Sequence, residues 1–154
     1  MPDSPKETTG KPSEATTRLW IRLMRAQRLL LGAIEQDLKA ADMPPLAWYD
    51  VLWELVRTET GRLRPYEIEE RTLLAQHNLS RLLDRMENAG LVRREILPED
   101  GRGRWVLVTE EGRRTQARIW TVYAAAIERH LGGAMDDPSA ETLADALERL
   151  TPVT

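Results

Sequence analysis

The stretch LVRREILPEDGRGRWVLVTEEG, residues 91–112, is where the chain stops reading as helix. Leu91 to Leu97 and Trp105 to Thr109 are short apolar runs of strand character. Pro98-Glu99-Asp100-Gly101-Arg102-Gly103-Arg104 lies between them, and Asp-Gly between two such runs is a strong hairpin signal. Gly90, just before, suits a helix stop in the left-handed conformation. Thr109 suits an N-cap, with Glu110 and Glu111 in the first turn where a helix dipole favours negative charge.

Helical periodicity governs both sides of this hairpin. Upstream, Leu79, Leu82, Leu83 and Met86 give one apolar side to a helix from about Ala75 to Ala89. A shorter helix, Tyr66 to Thr72, opens on Pro65 with Ile68 turned inward, after an extended link at Gly61-Arg62-Leu63-Arg64. Before it, Met43-Pro44-Pro45 breaks the chain ahead of a helix to about Val56 that buries Trp48, Val51, Leu52 and Leu55. A long first helix, Thr16 to Ala41, carries Trp20, Leu23, Leu30, Leu31, Ile34 and Leu38. Such a stripe fits a partner chain and an internal core equally well. Downstream, a helix from Thr109 runs to about Leu131, and a last one spans Ser139 to Leu150.

The fold class expected is mainly α (α+β): short helix, tight connection, second helix and a two-stranded hairpin with an arginine-rich tip, a winged helix-turn-helix. The second helix of such a pair fits the major groove of B-DNA, and an arginine-bearing tip suits the minor groove or the backbone. Charge agrees in its distribution rather than its sum. The net charge is −3, but residues 61–114 hold 11 basic and 10 acidic residues, and all 11 are arginine. Arginine is the side chain best shaped for phosphates and base edges.

The 154 residues suffice for one domain with a core. With 42% hydrophobic and 31% charged residues and no long apolar run, the chain reads as soluble, with no membrane partner. Residues 1–15 are polar and read as a disordered arm without a signal peptide, which places the protein in the cytoplasm. The absence of cysteine excludes disulfides, thiolate catalysis and cysteine-bound zinc, and His77 and His130 match no metal-ligand spacing. No glycine-rich phosphate loop or nucleophile elbow is present. An enzyme is therefore not expected, nor is any cofactor or metal.

Residues 46–131 resemble the MarR family of bacterial regulators. The stretch from Asp100 to Arg104, continuing through Leu107-Val108-Thr109-Glu110-Glu111-Gly112, is similar to the family's wing: an Asp-x-Arg tip, then a strand ending in Thr and an acidic helix start. Arg81-Leu82-Leu83-Asp84-Arg85-Met86-Glu87-Asn88-Ala89-Gly90-Leu91-Val92-Arg93-Arg94 resembles the end of its recognition helix, and Ile68 to Gly90 fits its helix-turn-helix without gaps. Three positions depart from the pattern. Glu69 stands where a small residue is usual, Leu73 where the turn commonly has glycine, and Ala75 where Ser or Thr often caps the recognition helix.

The resemblance implies one domain over 16–154, with a DNA-binding lobe at 45–112 and dimerisation helices at 16–41 and 113–154. A homodimer also follows physically, because one recognition helix buries too little surface for specificity and two read half-sites a turn apart. The side of the recognition helix opposite its apolar stripe offers Gln76, His77, Asn78, Ser80, Arg81 and Arg85. Gln and Asn pair with adenine, Arg with guanine, and Arg85 is placed for a phosphate. In the wing, Arg102 is the first candidate for the minor groove, then Arg104, with Asp100 as a supporting ion pair. The family also implies an aromatic or phenolic acid effector in a cleft between scaffold and DNA-binding lobe, for which Arg18, Trp20, Arg22, Trp48 and Tyr49 are candidates. The rival expectation is a winged helix that binds a protein and never touches DNA.

Overall fold

A computed structural model describes residues 10–75, 77–96 and 103–151. Helix α1, Glu14–Ala40, is followed by α2, Leu46–Val56. The short strand β1, Arg62–Leu63, leads to α3, Pro65–Arg71, and α4, Leu79–Asn88. Strands β2, Val92–Glu95, and β3, Trp105–Val108, then give way to α5, Glu110–His130. A 3-10 turn, Gly132–Ala134, precedes α6, Asp137–Glu148.

Four of the expected positions shift. Helix α1 begins at Glu14, because the Ser13 side chain accepts the Thr16 N–H at 3.1 Å and caps it there. Of the expected arm, residues 1–9 lie outside the described residues. Helix α4 begins at Leu79 rather than Ala75: Ala75 has no polar side chain to cap with, whereas Asn78 Oδ1 accepts the Arg81 N–H at 3.3 Å. The sheet gains a third strand, since the link at Arg62–Leu63 pairs with Leu107 and Val106 of β3, giving the antiparallel order β1-β3-β2. The last helix starts at Asp137, with the Asp136 carboxylate accepting the Ser139 N–H at 2.9 Å.

The core lies in the middle lobe. Val51, Leu52 and Leu55 of α2, Ile68 of α3, Leu83 and Met86 of α4, Val106 of β3 and Ile119 of α5 are all buried. The ends of the chain are different. On α1 only Ile34 and Leu38, both in its second half, are buried, and α6 buries nothing. Leu19, Trp20, Ile21 and Met24 on α1 and Leu143 on α6 stay exposed.

Three contacts tie the hairpin to its flanking helices. Gly90 ends the recognition helix at φ +78°, the left-handed turn expected there. The Thr109 N–H donates to Leu91 O at 3.1 Å, its hydroxyl lies 2.6 Å from Gly90 O, and the same oxygen accepts the Gly112 N–H at 3.0 Å as the cap of α5. This brings α5 so close to β2 that a Cβ on Gly112 would sit 2.1 Å from Leu91 O. On the far side Arg94 binds α4: its backbone N–H donates to Glu87 at 2.8 Å, and its guanidinium pairs with Asp84 and, at 3.3 Å, Glu87.

Two substitution pairs test these joints by chemical denaturation. Gly112→Ala forces a methyl into a backbone carbonyl and should cost about 3 kcal/mol. Gly90→Ala, where the space is open and only the φ is unfavourable, should cost about 1 kcal/mol. Equal losses would mean that α5 can move away freely. Glu87→Ala removes the acceptor of the Arg94 N–H and should cost about 1 kcal/mol with faster amide exchange at Arg94. Glu87→Gln keeps an acceptor oxygen and should lose less; equal exchange rates in the two variants would rule out that bond.

Candidate nucleic-acid interface and adjoining cavity

Helix α4 divides cleanly into two sides. Leu79, Leu82, Leu83 and Met86 are buried, while Ser80, Arg81 and Arg85 are exposed on the outer surface. Arg81 and Arg85 make no ion pair among the described residues, whereas Asp84, on the same surface, is neutralised by Arg94. The exposed face of the helix is therefore cationic, although the chain as a whole is acidic. Gln76 lies outside the described residues. His77 is exposed in the turn ahead of α4. Asn78 is exposed too, but its carbonyl oxygen is committed to capping, which leaves its amide N–H₂ for any outside partner.

Arg104 is exposed at the foot of β3, while Arg102 and Asp100 fall outside the described residues. A further cationic pair beside β3 was not legible in the sequence. The guanidinium carbons of Arg62 and Arg64 lie 4.6 and 4.4 Å from the ring centre of Trp105, stacked on its indole. The pairing of β1 with β3 is what places them there, and two extended residues carry no periodicity to announce it.

Behind the reading head, a cavity of about 420 Å³ opens between α2, α5 and the connector at Leu73-Leu74. Tyr49, Trp120 and Tyr123 form one aromatic cluster, Tyr49 stacked on Trp120 at 5.9 Å and Tyr123 edge-on to both at 5.0 and 5.6 Å. Burial raises both phenol pKa values above the ordinary tyrosine value, so the hydroxyls stay protonated at neutral pH. Asp50, 5% exposed, lines the same cavity and accepts the Leu73 and Leu74 N–H groups at 3.1 and 2.8 Å. It thereby fastens the turn before the recognition helix to the scaffold.

Of the expected effector residues, the structure brings only Tyr49 to this cavity. Trp48 is partly buried against the core. Arg18, Trp20 and Arg22 lie on the exposed first half of α1, where Trp20 is 62% exposed. Leu31, which does reach the cavity, lies 11 residues further along that helix, about 16 Å away at the α-helical rise. Among the described residues no group of acidic and histidine side chains could hold a metal ion, and no helix is long and apolar enough to cross a membrane.

Comparison with known proteins follows the same outline. Residues 41–103 match the MarR family. AbsC, a MarR family transcriptional regulator from Streptomyces coelicolor, is 28% identical with a TM-score of 0.79, over 92% of this chain and 95% of AbsC. Sco3205 of the same organism, a MarR family transcriptional regulator solved in complex with DNA, is 23% identical with a TM-score of 0.80, over 92% of this chain and 89% of its own. BpsR of Bordetella bronchiseptica, whose DNA binding is regulated by 6-hydroxynicotinic acid, is 17% identical with a TM-score of 0.77, over 94% of this chain and 100% of its own. No protein of curated function matches this chain in sequence. MarR-family regulators are DNA-binding proteins rather than enzymes. Residues 41–103 thus match the MarR family, in a chain that shares the fold of MarR family transcriptional regulators such as AbsC over nine-tenths of its length.

Proposed function

We propose that this protein is a homodimeric, sequence-specific DNA-binding repressor whose grip on a two-fold symmetric operator responds to a small molecule. The observation that carries the DNA-binding part is the charge of α4. The chain is acidic overall, yet the exposed side of its one groove-sized, well-supported helix presents Arg81 and Arg85 without internal partners among the described residues. Arg81 sits in the first turn of α4, the part of a recognition helix that enters the major groove, and reads bases there. Arg85, one turn on, takes a phosphate. Ser80 and the amide N–H₂ of Asn78 add polar contacts, and Arg104 with Arg102 lets the wing reach the flanking minor groove.

The homodimer is supported by what the chain leaves uncovered. The first half of α1 and all of α6 bury no side chain, while Leu19, Trp20, Ile21 and Leu143 are exposed. Isolated helices of this kind are marginal in water, so these surfaces call for a second copy. Effector response is supported by the cavity, because Asp50 joins its wall to the turn that seats α4. A ligand shifts operator affinity to the extent that it binds the two arrangements of that turn unequally.

Selection of bound fragments from the host's genomic DNA, at a stated salt concentration, should return a palindromic motif. On that operator Arg81→Ala should cost about 1–3 kcal/mol and relax discrimination at one base pair per half-site. Arg85→Ala should weaken all sequences alike and lower the salt slope by about one. If both variants bind normally, α4 is not the reading element. In sedimentation equilibrium the native chain should be a dimer, and Trp20→Glu should weaken self-association by at least about tenfold, near 1.4 kcal/mol. A monomeric native chain, or a variant that dimerises unchanged, would refute this interface.

A further inference from the structure

The charge of the cavity selects its ligand. Its walls are aromatic and aliphatic, with Gln116 and Asp50 as the polar exceptions. Among its lining residues none is basic, and Asp50 is the one charged group. Both carboxylate oxygens of Asp50 accept backbone N–H groups, from Leu73 and Leu74. Glu54, one turn further along α2 and also buried, adds a second carboxyl on the same helix, with Arg57 3.4 Å from it as its partner. An organic acid entering here would face the Asp50 carboxylate with no basic side chain in the wall to meet it. An organic cation would find the Asp50 carboxylate and four ring-bearing side chains, Tyr49, Trp53, Trp120 and Tyr123, suited to cation–π contact.

We propose that this cavity binds a lipophilic organic cation, an arylalkylammonium of about a dozen non-hydrogen atoms, with its ammonium donating to the Asp50 carboxylate and its ring lodged against Trp120 and Tyr123. The volume of about 420 Å³ falls within the ordinary size of small-molecule sites. Each oxygen of Asp50 has a lone pair beyond the one used by Leu73 or Leu74, so an ammonium can be added without first breaking those bonds. It then competes for the same charge. The connector between α3 and α4 feels an occupied cavity through the two N–H groups that Asp50 holds. The binding stands on the cavity alone, whereas its consequence for DNA rests on the operator-binding function proposed above.

Three probes of one shape and different charge decide the matter: 1-naphthylmethylammonium, 1-naphthalenemethanol and 1-naphthoate, titrated calorimetrically at pH 7 into the full-length protein. The ammonium should bind at least about tenfold more tightly than the alcohol, and the acid most weakly. Asp50→Asn should bring the ammonium and the alcohol to within about twofold of each other. Because Asp50 also supports the turn, Trp120→Ala serves as a second variant. Trp120 is partly exposed and caps nothing, and its loss should weaken all three probes at least about fivefold in a protein of native circular dichroism. Acid binding equal to or tighter than ammonium binding overturns the proposal. So does failure of the ammonium to bind the folded protein, or a charge preference that survives in Asp50→Asn. Operator affinity of the ligand-free protein is measured alongside. Intact operator binding with no cation preference removes the cavity assignment alone, and cation binding without operator binding removes the DNA reading alone.

Discussion

The carbonyl of Leu91 is the point on which the architecture turns. It accepts the Thr109 N–H at 3.1 Å and lies so close to Gly112 that no side chain fits between them. The end of the recognition helix, the start of β2, the end of β3 and the first turn of α5 all meet within this one contact. Thr109 serves both sides of it, its oxygen capping α5 while its hydroxyl reaches back to Gly90. The orientation of α4 is inherited directly from α5, and α5 is the helix against which α1 mainly packs.

A second link runs through Asp50. The Leu91 joint holds the C-terminal end of the recognition helix, and Asp50 holds the turn before its N-terminal end. One is a close backbone approach with little freedom. The other is a buried carboxylate that accepts two backbone N–H groups at the edge of an aromatic cavity. The division of the chain follows the same logic: the middle lobe closes its own core, while α1 and α6 leave apolar side chains exposed.

Much of this was legible in the sequence wherever the signal was local. Gly90 and Thr109 carry their conformational preferences with them, and the apolar spacing of Leu79, Leu82, Leu83 and Met86 appears unchanged as the buried face of α4, whereas the expected Asp100-Gly101 turn lies outside the described residues. The start of that helix was misplaced because apolar periodicity continues past the point where capping chemistry stops it; Asn78, read as a base contact, is the residue that caps. Strand β1 was read as a link because its two residues become a strand only through β3. Asp50 was not singled out at all, since its partners lie 23 and 24 residues away. The effector residues were grouped by side-chain type, and the length of α1 separates those that type brought together.

If the Leu91 joint fixes each reading head to the scaffold, two heads in a dimer must keep a constant separation. The chain has no cysteine, so Ser80→Cys offers a single labelling site on the exposed side of α4. Pulsed dipolar spectroscopy of the spin-labelled protein on its operator should give one narrow distance distribution near ~34 Å, one turn of B-DNA. No dipolar coupling, or a broad distribution that persists on DNA, would contradict a pair of helices held in register by their scaffold.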